Sequence, residues 1–303
     1  MSIKLSELGF IPYIIGTQWK NFNISFLKSK TNCIVINNSF REIKKHDYDI
    51  LMVNSDQTWR RFDDHYFDYG FLRFAEKWNK QKFVYGASLG YEFFNFEKKD
   101  INIIKRLLRQ FSEISVREKN CIKWIEKHLG MKPFFVLDPT FLINKEYYLN
   151  LIKNYKSNKN INSSFIFTYL LRQDKYVKNF IDKTCKELGY NRYNVETTEN
   201  NAIEEFIHGI KNCKAVITNT YHGTIFSIIF QKPFISFIVN DDYRERSISL
   251  REIFHLENRI IQLNQIPNAN MLNVPLDINM TLLNMLKNES INYLKKNLGL
   301  IKH

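Results

Sequence analysis

What this 303-residue chain lacks narrows its class before any motif is read. Its four cysteines, Cys33, Cys121, Cys185 and Cys213, show no CxxC and no Cys/His ligand spacing. They read as buried free thiols in a reducing compartment, not as a disulfide framework. No apolar run approaches the about 18 residues of a membrane span, and the longest, 224–239, is broken by Gln231, Lys232 and Pro233. No N-terminal stretch has a charged start followed by an apolar core. The expectation is a cytoplasmic protein that at most touches the inner face of the membrane. P-loop, G-x-G-x-x-G, G-x-S-x-G and H-E-x-x-H signatures are missing. His46, His65, His128, His208, His255 and His303 lack ligand spacing, so no metal is expected. There is no repeat and no low-complexity segment.

What is present describes a folded α/β protein. Hydrophobic residues make up 44% and charged residues 25%, a globular balance. The length favours two domains of roughly 150 residues each. The net charge of +13 raises nucleic acid, an anionic membrane or small phosphorylated substrates as partners, but a solvated basic surface is the better account of it. Lys and Arg are interspersed with acids, without the basic run of a nucleic-acid-binding arm, so no nucleic acid is expected.

Short β-branched or aromatic runs alternate with stretches of helical period. Strands are read at 49–53, 82–85, 114–116, 134–137, 165–170, 215–218 and 234–239. Helices are read at 100–111 with Asp100 as N-cap, 118–129 stopped by Gly130, and 175–188 stopped by Gly189. Further helices are read at 203–210, 224–230, 250–254 and about 291–298. Segment 153–164, rich in Lys, Asn and Ser, reads as an interdomain linker. The domains are then 1–155 and 156–275, with a helical tail at 276–303.

In parallel α/β sheets, ligands bind beyond the carboxyl ends of the strands. Three such places carry chemistry-bearing residues. In 215–230 a strand runs through Thr220, Tyr221 and His222 to Gly223 and Thr224, then into an apolar helix. Gly223 admits close backbone approach, and the first helical N–H groups suit an anion. His222 is the one side chain of that turn able to exchange a proton near neutrality, although a Thr220 cap with His222 bonded to backbone fits the same spacing. In 54–59 (NSDQTW), Asp56 follows a strand and could orient or deprotonate a hydroxyl, or simply form an Asx turn. At 114–118, Arg117 offers a planar fork for carboxylate or phosphate, or pairs with Glu118 at the surface.

Taken in order, DILMVNSDQTW (49–59), YGASLG (85–90), ISVREK (114–119), VLDPT (136–140), the TNTYHGT run with its apolar helix and K-P (216–233), and the R-x-x-S-L segment closing with L-x-x-R (246–259) resemble the polysaccharide pyruvyl transferase family. Asn54 stands where Gly is usual and Asn219 where Asp is common. The resemblance implies two Rossmann-like domains facing a cleft, glycosyltransferase-B-like. An N-terminal domain lacking its first strand is expected, because 1–9 already looks like the later part of the first helix. It implies pyruvate transfer from phosphoenolpyruvate, as co-substrate and without a cofactor, onto a sugar or lipid-linked oligosaccharide of a surface polysaccharide, forming a ketal. It makes His222 the acid/base and places Asp56 near the acceptor with Ser55, Gln57 and Ser88. Arg117, Thr220, Gly223, Thr224 and Arg246 fall on the phosphoenolpyruvate side. A nucleotide-sugar glycosyltransferase of the same fold and a non-catalytic family member are the alternatives.

Overall fold

The computed structural model describes residues 43–55, 57–60, 66–90, 96–157, 164–172, 174–195, 202–239 and 241–301. Cys33, Asp56, His65, His303, the middle of the expected linker and the N-terminal helix expected at 1–9 lie outside them.

Two parallel sheets organise these residues. The first contains β1 (Ile50–Val53), β2 (Gln81–Ala87), β3 (Glu113–Val116) and β4 (Phe134–Phe135), in that spatial order. Helices α1 (Tyr66–Phe71), α2 (Lys98–Leu108) and α3 (Lys119–Leu129) supply the crossovers that parallel pairing requires. Val53, Val84, Ala87 and Val116 pack with Ile104, Leu107, Cys121 and Ile125 of α2 and α3 on one face. Phe83, Tyr85 and Val136 occupy the other. Burial on both faces explains why Phe83, Val84 and Tyr85 follow one another without a polar residue between them. The β2–β3 register shifts between Val84 and Ala87, where Gly86 takes φ +61°. That bulge lets the chain continue through Ser88 toward β3's carboxyl end.

The Pro139–Leu142 turn and α4 (Lys145–Leu151) follow β4. Leu137, Phe141, Tyr148 and Ile152 join the core of the second sheet. That sheet holds β5 (Phe165–Tyr169), β6 (Asn191–Asn194), β7 (Ala215–Thr218), β8 (Phe234–Ile238) and β9 (Ile260–Gln262) in the order β6-β5-β7-β8-β9. Its helices are α5 (Lys175–Leu188), α6 (Ala202–Asn212), α7 (Tyr221–Ile229) and α8 (Asp241–Phe254). The strand order reverses between β5 and β7, which makes a topological switch point.

Arg259 then anchors the chain, its guanidinium donating to the carbonyls of Met271, Val274 and Pro275 at 2.9–3.0 Å. The last helix, α9 (Met280–Asn297), returns to the first sheet. Tyr293 Oη donates to Val84 O at 2.7 Å, Ser290 Oγ accepts from Leu137 N at 2.9 Å, and Asn297 Nδ2 reaches Glu113 at 2.7 Å. No helix among the described residues is long and apolar enough to cross a membrane.

Helices α3 and α5 end where expected, at Gly130 and Gly189, both left-handed. Asp100 is not a cap: α2 starts two residues earlier, after Glu97, and Asp100 is buried in its first turn. Helix α7 also starts earlier than expected, directly after Thr220, which brings Tyr221 and His222 into its first turn.

Candidate active site at the junction of the two sheets

The carboxyl end of β7 is built by short polar side chains acting on the backbone. Thr220 is extended at φ −119°, and its Oγ1 accepts from Gly223 N at 2.9 Å, capping α7. Thr218 Oγ1 donates to Tyr169 O at 2.7 Å and lies 3.0 Å from Thr220 Oγ1. Asn219 stitches the switch point, accepting from Leu171 N at 3.0 Å and donating to Arg172 O at 2.7 Å.

Gly223 has a structural reason inside this cap. A Cβ there would meet Thr218 Oγ1 at 2.3 Å and Thr220 Oγ1 at 2.7 Å, and its N–H is already used by Thr220. Thr224 is buried, its hydroxyl 3.0 Å from Thr220 O and 2.7 Å from Ser236 Oγ, so it fastens α7 to β8. Of the first turn, His222 is half-buried and Tyr221 buried, their rings 5.5 Å apart.

Tyr221 faces the carboxyl ends of the first sheet. Arg117, directly after β3, is 3% exposed, and Arg246, on α8, is 5% exposed. Both guanidiniums lie over the Tyr221 ring, with Cζ at 4.9 and 5.0 Å from its centroid. Arg117 is therefore not half of a surface pair. Its Nη1 donates to Asp138 and to Ser55 Oγ at 3.1 Å, and its Nε is 3.8 Å from Glu118 Oε1.

Asp138, at 2% exposure, also accepts from Thr140 N at 3.0 Å. Burial pushes its carboxyl upward, but Arg117, His222 and the Thr140 bonds outweigh that and hold it below the usual aspartate range. Glu118 goes the other way. Burial raises its carboxyl, with Arg117, the Ser88 hydroxyl, the Cys121 thiol at 3.0 Å and Arg246 only partly opposing.

The residues expected on the acceptor side divide. Ser55 and Ser88 are buried and face this charged nest, Ser55 through Arg117 and Asp138 and Ser88 through Glu118. Gln57 instead lies against Gly90, whose missing Cβ would sit 2.7 Å from Gln57 Nε2, and its Oε1 accepts from Arg60 at 3.3 Å. Asp56 is outside the described residues. Asp138 was visible in the sequence only as part of VLDPT. The signal for its role was an acid directly after a strand, which shares a parallel sheet with the one ending at Arg117. Lys119 N donating to Ser249 Oγ at 3.3 Å closes the junction from the α8 side. Among the described residues no group of His, Cys, Asp and Glu could hold a metal ion.

The fold and site define an α/β protein of parallel sheets whose carboxyl ends meet around a histidine, two arginines and two carboxylates. The family model for polysaccharide pyruvyl transferase matches residues 5–242, most of the sequence, and the chain belongs to this family of transferases in polysaccharide biosynthesis. Every site residue from Ser55 to Thr224 falls inside that span, and Arg246 lies just beyond it. No curated protein matches the chain.

Proposed function

We propose that the chain transfers pyruvate from phosphoenolpyruvate to two hydroxyls of one sugar in a surface polysaccharide or its lipid-linked precursor. The supporting observation is convergence. Five of the six motifs that suggested the family place side chains in one nest: Ser55, Ser88, Arg117 with Glu118, Asp138, and Tyr221 with His222, and Arg246 joins them from the sixth. A shared structural role for six separated segments is what a common site demands.

The reaction needs a proton on the enol methylene carbon, stabilisation of a carboxylate and phosphate, and two hydroxyl attacks at the adjacent carbon. His222 donates the proton, being half-exposed in the first turn of α7 next to the buried charged nest, with Asp138 within its electrostatic reach. Arg117 and Arg246 supply positive potential from the buried floor, where low dielectric strengthens it. Thr220, Gly223 and Thr224 hold the start of α7, whose dipole adds to that field. The first hydroxyl adds to the electrophilic carbon, assisted by Asp56, as Ser55 and Ser88 shape the acceptor side and Gln57 braces the Gly90 turn beside it. The carbon–oxygen bond to phosphate breaks, and the second hydroxyl closes the ketal. Of the two hydroxyl protons lost, one replaces the proton given to carbon and the other leaves with phosphate.

The architecture is read as glycosyltransferase-B-like, with domains at 1–155 and 156–275 and a tail at 276–303. The return of α9 to the first sheet and the switch-point strand order support it. No cofactor enters this scheme, and a substrate made in the cytoplasm places the reaction there, at most against the inner membrane face. A nucleotide-sugar donor would need an acid for its ribose in the second domain; of the adjacent Glu204 and Glu205 at the start of α6, Glu205 is engaged elsewhere, its carboxylate accepting from Tyr155 and from Ser157 at 2.8 Å.

The test is product stoichiometry. Purified protein given phosphoenolpyruvate and lipid-linked oligosaccharide from its own host releases phosphate and forms sugar ketal in equal amounts. Phosphate without ketal, or transfer of sugar from a nucleotide donor, overturns the reading.

A further inference from the structure

Tyr221 sits where three elements meet. Arg117 comes from the end of β3 in the first sheet, Arg246 from α8 beside the second, and Tyr221 from the first turn of α7. Their shared ring keeps the two guanidiniums within about 10 Å of each other, whichever faces they take, although like charges repel. Glu118 acts on both cations and Asp138 on Arg117, so the cluster is partly neutralised without either arginine turning away from the ring.

The phenol adds nothing obvious as an acid or base, since burial drives its ionisation far above the ordinary range. What the residue offers is a flat, electron-rich face fixed by α7. An aliphatic side chain of similar volume would fill the space and leave the two cations without that attraction.

We propose that Tyr221 is a positioning residue for anion binding, its aromatic face setting the separation of Arg117 and Arg246 across the junction of the two sheets. It acts through those arginines and needs no contact with the substrate. Because both are nearly buried, their field reaches a ligand only from fixed positions; Asp138 and Ser55 hold Arg117 from the first sheet, and the ring is the contact the two arginines share across the junction. The substrate class follows: a small dianion carrying carboxylate or phosphate at the mouth marked by His222. This rests on the phosphoenolpyruvate reading for the natural ligand, but not for the role of the ring.

The experiment measures binding of phosphoenolpyruvate and of inorganic phosphate to wild type, Tyr221→Phe and Tyr221→Leu by calorimetry, with thermal unfolding recorded for each. Tyr221→Phe binds both anions within about twofold of wild type, because the face survives. Tyr221→Leu binds both about tenfold more weakly, by more than its loss of stability explains, since a folded sample is what the calorimeter titrates. Where Tyr221→Leu does not fold, Tyr221→Met replaces it, and the Phe variant is informative on its own: loss of anion affinity there overturns the proposal. Unchanged affinity in Leu or Met overturns it too, as does failure of wild type to bind either anion. If wild type binds phosphoenolpyruvate no better than phosphate and the Leu variant loses both, the pyruvyl-transfer reading falls and the role of Tyr221 stands.

Discussion

His222→Ala loses at least about a hundred- to ten-thousandfold in kcat while unfolding near the wild-type midpoint, since that is the range a positioned general acid contributes. The separation of activity from stability follows from position. His222 is half-exposed in the first turn of α7, and the cap is made by Thr220 and Gly223, not by the imidazole. Trimming its ring leaves the hydrophobic core untouched, so the stability change stays under about 1 kcal/mol. Steady-state turnover beside a thermal melt checks both halves. A variant that keeps its rate within a few fold assigns the proton to another group.

Asp138→Ala has the largest expected effect on stability, a loss of about 3–5 kcal/mol, because it strands the Arg117 guanidinium in a buried site without its carboxylate. Ser55→Ala, which removes a neutral acceptor from the same guanidinium, costs only about 1 kcal/mol. Urea unfolding at neutral pH compares the two. The pH dependence has a definite sign. Asp138 titrates below its unfolded value, so its contribution is fully present above the ordinary aspartate range and is lost as pH falls through the depressed folded value. Asp138→Asn flattens that acid limb. Equal losses for Asp138→Ala and Ser55→Ala contradict the account of the nest.

Much of this arrangement was legible because it is local. The buried parallel strands announce themselves as apolar runs, and the α3 and α5 stops follow from single glycines at φ +68° and +65°. The Thr220 cap was readable from its turn, but the start of α7 was not, because Tyr221 and His222 look like loop residues until the Thr220 bond to Gly223 is seen. Strands β6 and β9 escaped notice because Asn191 and Arg192 are exposed and β9 has only three residues. Helix α9 extends well beyond its expected start because its buried stripe, Leu283, Ser290, Tyr293 and Asn297, is narrow and half polar. Its polar members are buried for distant partners, Ser290 accepting from Leu137 N and Asn297 donating to Glu113 of β3, a long-range need that periodicity cannot show.

The site was legible as a list of motifs and not as a set of contacts. Arg117 looked like a donor-gripping fork, and its sequence neighbour Glu118 like its partner. The closer carboxylate belongs to Asp138, 21 positions away, which reaches it because β3 and β4 are adjacent in the sheet. Nothing in the sequence singles out Tyr221 within its turn. Its place over two arginines depends on the meeting of the two sheets, which no local spacing encodes.

The measurement that bears most directly on the central claim is the thermal midpoint of the purified protein with millimolar phosphoenolpyruvate, set beside nucleotide sugars under the same conditions. A ligand that binds only the folded state raises that midpoint. Pyruvyl transfer predicts a rise with phosphoenolpyruvate and none with nucleotide sugars, whereas a rise with a nucleotide sugar alone would contradict it and make the chain a glycosyltransferase.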